Sequence, residues 1–313
     1  MSSLLARYAD CIFWMARYVE RAENLARILD VTHGAARERD RSQDWAAVLE
    51  INSDRERFLA AHGKADGEAV VHFYALDAAN PTSILYGISV ARENARTLRP
   101  FISTEMWTQH NVLYNCLRGL KAADLAPSER PRFFAAVKEA CQTHAGITDG
   151  TFFRDQGWYF CQLGRFIERA DQATRLLDVK FHRLSAAGAV QPLEAGQAGA
   201  LLRSAAGYHA FRRLHPRGMV PADVAGFLLQ NDAFPRSVAL CIAEVNRLLH
   251  ELRQRHRLRG GGAALEKLDE IQAALSMRST ADILGDGLDD FLDWVQLQLV
   301  AITDTLTRDF FGR

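Results

Sequence analysis

The sequence predicts an all-α protein: a multi-helix bundle formed by an internal duplication with pseudo-two-fold symmetry. Three observations carry this reading. Apolar residues recur with a 3.6-residue period along most of the chain, and the alternating pattern of a half-buried strand is short and rare. Prolines fall where helices would begin. One charged helical segment occurs twice, Arg17 and Arg165 standing 148 positions apart.

The period places helices over 5–36, 42–60, 66–76, 82–98, 101–122, 129–147, 153–185, 195–212, 220–230, 235–257, 263–277 and 281–309. Pro81, Pro131, Pro221 and Pro235 open four of them, and Pro100 breaks the fourth from the fifth. The stretch 185–200 reads as a loop, and Gly260, Gly261 and Gly262 as a flexible turn. Trp14, Trp45, Trp107, Trp158 and Trp294 sit among apolar neighbours at helical spacing, where core packing is the default role.

The repeat is read from residues 17–31, RYVERAENLARILDV, against 165–179, RFIERADQATRLLDV. Arg17/Arg165, Glu20/Glu168, Arg21/Arg169, Ala22/Ala170, Arg27/Arg175, Leu29/Leu177, Asp30/Asp178 and Val31/Val179 are identical. Val70, Phe73, Pro81 and Ser83 then match Val224, Phe227, Pro235 and Ser237, and Ile147-Thr148-Asp149 matches Ile302-Thr303-Asp304. Three collinear matches at nearly constant offset imply two copies, residues 1–150 and 151–313, together one compact helical domain. Two copies are too few for a solenoid.

Lys+Arg and Asp+Glu are equal at 38 each, which argues against nucleic acid as the main partner. No window approaches ~18 uncharged apolar residues, so no membrane span is expected. The first residues, MSSLLARYADCIFWMARYVER, lack the unbroken apolar core of a signal peptide. Cys11, Cys116, Cys141, Cys161 and Cys241 are odd in number and never at Cys-x-x-Cys spacing, so neither a disulfide framework nor a zinc site is expected. A reduced cytoplasm fits such thiols.

Arg17, Glu20, Arg21 and Asn24 share one helix face, as do Arg165, Glu168, Arg169 and Gln172. Two readings stand side by side. One is a structural charge network between the copies, Glu20 with Arg169 and Glu168 with Arg21. The other is a pocket whose arginines fork onto carboxylate or phosphate, with the glutamates orienting them. A second constellation, Arg92, Glu93, Asn94 and Arg96 followed by Ser103, Glu105 and Trp107, has no counterpart in 245–258. It reads either as part of a site in the first copy or as a solvated face with ordinary ion pairs. His-Glu-x-x-His, Glu-x-x-His, phosphate-binding glycine loops and Gly-x-Ser-x-Gly are all absent; Glu139 and His144 stand at the wrong spacing. No metal or cofactor is expected.

The chain resembles the bacterial alpha-E domain proteins over essentially its whole length. The resemblance is carried by FWMARYVERAENLARILDV (13–31), NPTSILYGISVARENAR (80–96), STEMW (103–107), the segment 146–179 and FPRSVALCI (234–242). Thr82 and Phe153 depart from the family's pattern, away from the Glu-Arg pairs. The resemblance implies partnership with a circularly permuted ATP-grasp protein, and with a transglutaminase-like protein, in peptide synthesis or peptide modification. The expected role is a non-catalytic accessory component that binds an anionic peptide, a small acid or the ligase. The alternative is an enzyme of the same pathway using Glu20 or Glu168 as acid/base beside arginine clamps.

Overall fold

The computed structural model describes residues 4–38, 42–185 and 195–312. Among them there are helices and no strand. They are α1 (Ala6–Glu38), α2 (Ser42–Ile51), α3 (Arg55–His62), α4 (Gly67–Ala75), α5 (Ile84–Thr97), α6 (Thr104–Arg118) and α7 (Arg130–Thr151), followed by α8 (Gln156–Ser185), α9 (Ala195–Ser204), α10 (Tyr208–Leu214), α11 (Pro221–Gln230), α12 (Val238–His256), α13 (Gly262–Met277) and α14 (Thr280–Leu306). A 3-10 turn covers Ala122–Leu125, and a π turn, Thr307–Phe311, ends α14. No described helix is long and apolar enough to cross a membrane.

Two helices expected to be continuous are broken. The expected 42–60 helix divides at Ser53, whose φ of 56° is left-handed, and Asp54 there turns its carboxylate to Arg57 (2.5 Å) and Thr82 (2.5 Å). The expected 195–212 helix divides at Ala206, φ 59°, and Gly207. A β-carbon on Gly207 would lie 2.9 Å from the Phe227 ring, so only glycine admits this approach. Of the loop expected over 185–200, residues 186–194 lie outside the described residues, and 195–200 belong to α9.

Pro131 and Pro221 stand in the first turn of α7 and α11 as expected. Pro81 and Pro235 instead lie two residues ahead of the true caps, Ser83 and Ser237. Ser83 Oγ accepts from Tyr86 N–H (3.1 Å) and donates to the Asp77 carbonyl (2.6 Å). Ser237 Oγ accepts from Leu240 N–H (3.2 Å) and donates to the Asn231 carbonyl (2.5 Å). One hydroxyl thus closes the turn behind it and starts the helix ahead of it.

The chain divides into two compact units, Trp14–Phe153 and a second made of Met1–Phe13 with Arg154–Arg313. In the first, α5 packs on α6 and α6 on α7. Lys138 on α7 bonds Asp30 of α1 (2.6 Å), and Gly87 brings α5 beside Tyr18 of α1. Phe58 stacks on His62 at 4.5 Å and meets Phe73 edge-on at 5.1 Å. Asp54, Arg57, Asn80 and Thr82 form one hydrogen-bonded knot that ties the α2–α3 turn to the loop before α5.

In the second unit α8, α12, α13 and α14 pack in a closed ring, each on the next and α14 back on α8. Phe211 stacks on His215 at 4.5 Å and meets Phe227 edge-on at 5.5 Å. Phe13, Phe160 and Phe310 gather around Phe311 or one another at 5.2–5.6 Å. Asp309 accepts from Gly261 N–H (2.8 Å), fixing the α12–α13 turn, and Gly261 there has φ 73°. The glycine-rich turn expected at 260–262 is therefore held rather than loose. α14 kinks at Gly287, where φ is 112°.

Candidate functional site

In the Trp14–Phe153 unit the charged face of α1 is buried: Arg17 is 8% exposed, Glu20 5% and Asn24 7%. The Arg17 guanidinium lies 4.9 Å over the Trp14 ring, and that of the half-buried Arg21 5.8 Å over Tyr18. Arg17, Glu20, Arg21 and Asn24 are all engaged by neighbours. Beside them stands Glu23, also buried, which takes a 2.5 Å ion pair from Arg27 and a 3.3 Å hydrogen bond from Gln142 of α7.

Cys141 of α7 is buried against the same acids. Burial raises its thiol pKa well above the usual value, and the charges of Glu23 and Glu20 raise it further. It is a protonated thiol, not a nucleophile. One turn on, His144 packs edge-on against His110 of α6 with ring centres 4.4 Å apart. Burial, then the neighbouring His144, holds His110 well below the ordinary histidine range, and its buried Nε2 has no hydrogen-bond partner. His110 is therefore neutral.

Arg92, Glu93 and Arg96 come together on α5. Glu93 is gripped by Arg92 (2.8 Å) and Arg96 (2.6 Å), and Arg92 Nε donates to Asn111 (2.8 Å). The Arg92 guanidinium also lies 5.5 Å over Trp107 and 4.9 Å over Tyr114. Glu105 is exposed in the first turn of α6. Ser103 caps α6, and Trp107 is half-buried under two arginines, Arg92 and Arg99.

In the second unit Glu168 is completely buried and Arg169 is 9% exposed, while Arg165 is half-buried. Gln172 donates to Glu168 at 3.4 Å, and Arg165 to Gln162 at 3.5 Å. Arg165 and Arg169 both flank the Phe166 ring, at 5.9 and 5.6 Å. Asp171 is buried and pairs with Arg175 at 3.0 Å. Across the bundle, Asn246 donates to Asp269 (2.7 Å) and Gln272 (2.5 Å).

Spacing alone singles out Arg17, Glu20, Arg21, Arg165, Glu168 and Arg169, but not Glu23 and Asp171. Their signal is present in the two similar segments 17–31 and 165–179, where an acid stands four residues before Arg27 and before Arg175. The His110–His144 contact left no such trace, because it joins two helices. Among the described residues no group of three or more His, Cys, Asp or Glu side chains is placed to hold a metal ion.

A family model described as a predicted alpha-helical domain with a conserved ER motif matches residues 4–311. Uncharacterized protein Mb2597 of Mycobacterium bovis and uncharacterized protein MT2643 of Mycobacterium tuberculosis are each 25% identical to the chain over 331 positions, covering 96% of it. Uncharacterized protein Rv2567 of Mycobacterium tuberculosis is 24% identical over the same share. The chain spans 36% of the length of these relatives. No solved structure matches.

Proposed function

The chain belongs to the Alpha-E family, and on that premise we propose that it is a non-catalytic, cytoplasmic accessory component of an ATP-grasp-linked peptide synthesis or modification system. In this reading it holds the ligase, or an anionic peptide or small acid, for a reaction performed elsewhere. A transglutaminase-like protein is a further partner of the same system. The observation that carries the reading is the state of Glu20 and Glu168. Both are buried, and both are engaged by neighbours. An acid/base must meet a substrate proton; carboxylates held in this way instead fix the positions of the side chains around them. Arginine is the side chain that forks onto carboxylate or phosphate, so Arg17, Arg21, Arg92 and Arg96 in one unit, and Arg165 and Arg169 in the other, suit an anionic ligand by charge.

The alternative is an enzyme of the same pathway with Glu20 or Glu168 as acid/base. Co-purification with a circularly permuted ATP-grasp protein, followed by mass spectrometry of the complex, tests the first reading. A stable complex carrying a peptide or small acid is expected. A chain that never associates with the ligase, and carries no anion, contradicts it.

We also propose that residues 1–150 and 151–313 descend from one duplicated ancestor. Support comes from motifs repeated within each unit. These are the two hydrogen bonds each of Ser83 and Ser237, donated to the carbonyl six before and accepted from the N–H three after, the Phe58–His62 and Phe211–His215 stacks, and the Glu23–Arg27 and Asp171–Arg175 pairs.

A further inference from the structure

At the end of α12 the sequence runs His250-Glu251-Leu252-Arg253-Gln254-Arg255-His256-Arg257-Leu258-Arg259. Cations at a helix C-terminus complement its dipole, but here they far exceed the single acid. Glu251 already takes Arg247 (2.6 Å), Arg255 (3.5 Å) and the Tyr159 hydroxyl (3.0 Å). Arg253, Arg257 and Arg259 make no hydrogen bond or ion pair among the described residues.

Arg257 occupies the helix cap with φ 52°, a left-handed position where glycine is the usual residue. The opposite edge of the same corner is built by α8. Arg154 lies 5.1 Å over Trp158, Trp158 meets Tyr159 at 5.2 Å, and Tyr159 meets His256 at 5.5 Å. The buried Trp158 indole N–H has no acceptor.

The surroundings narrow the occupant. None of the large exposed apolar side chains falls in 244–262, so this stretch offers a bilayer no apolar burial. Tyr159 is buried and offers no face for base stacking. Arginine and histidine are the only cations in 244–259, and planar guanidinium groups match carboxylates two bonds at a time.

We propose that this corner is a docking surface for an acidic, extended polypeptide segment of a partner protein, its Asp and Glu carboxylates forked by Arg253, Arg257, Arg259 and Arg154. The inference stands apart from the ATP-grasp reading and from the buried Arg–Glu faces. Fluorescence anisotropy with a labelled glutamate decapeptide tests it on the full chain. Saturable binding that weakens with added salt is expected. The Arg253→Ser/Arg257→Gly/Arg259→Ser variant is expected to weaken it roughly tenfold or more. Arg212→Ser/Arg213→Ser/Arg217→Ser removes the same charge from the exposed 212–217 segment and is expected to leave it unchanged. Circular dichroism confirms that each variant is folded. Should the triple variant unfold, Arg257→Gly and Arg259→Ser singly are each expected to lose several-fold. Equal losses in both triple variants, no saturable binding, tighter binding of an equally charged DNA oligonucleotide or of phosphatidylserine vesicles, or peptide-independent self-association through this corner would each overturn the proposal.

Discussion

His110 ties the stability of the Trp14–Phe153 unit to pH. Burial keeps its folded pKa below the unfolded value of about 6.5. Above that value both states are neutral and stability is at its full level. As pH falls through it, the unfolded chain takes up a proton that the folded chain refuses, and stability is lost. The melting temperature is expected to fall between pH 7.5 and pH 5, and His110→Phe is expected to flatten that dependence. An unchanged slope in the variant places the titrating group elsewhere. Glu168 is the other decisive residue. Glu168→Ala leaves Gln172 and the other groups facing it without an acceptor, at a cost of about 3 kcal/mol, and Glu168→Gln costs less. Chemical denaturation measures both; equal and negligible losses would mean that the face is not structural. The thiols provide a third check. Cys116 is exposed whereas Cys141, Cys161 and Cys241 are buried. Native thiol titration is expected to modify Cys116 first and the three buried thiols only on unfolding.

The helices were largely legible before the fold was known, because the 3.6-residue period and the prolines are local signals. What was not legible was set by tertiary contact. The break at Ser53 follows from Asp54 turning to Arg57 and to Thr82, 28 residues away. The break at Gly207 follows from the close Phe227 ring. Proline marked α5 and α12 slightly early, since Ser83 and Ser237 are the actual caps. Ser83→Ala and Ser237→Ala each remove a cap and a carbonyl bond, so each is expected to cost about 1–2 kcal/mol. Thr replacements, which keep the hydroxyl, are expected to retain most of it. If Ala and Thr behave alike in thermal melts, the hydroxyl bonds do not hold these turns.

For the molecule as a whole, the repeated Arg-x-x-Glu-Arg-Ala helix located the buried charge from sequence alone. Spacing placed those residues on one face, but it could not say whether the face met water, a ligand or protein. Arg17, Glu20, Glu168 and Arg169 are buried and engaged by neighbours, which only the folded chain reveals. On α5, Arg92 and Arg96 both pair with Glu93, a contact their spacing allows. The most direct measurement is product formation by the reconstituted ATP-grasp system with the wild-type chain, without it, and with a Glu20→Gln/Glu168→Gln variant shown to be folded. An accessory, non-catalytic chain predicts that product requires the chain and persists with the variant. Product lost with the folded variant, while ligase binding is retained, would contradict it and make these carboxylates the catalytic acid/base.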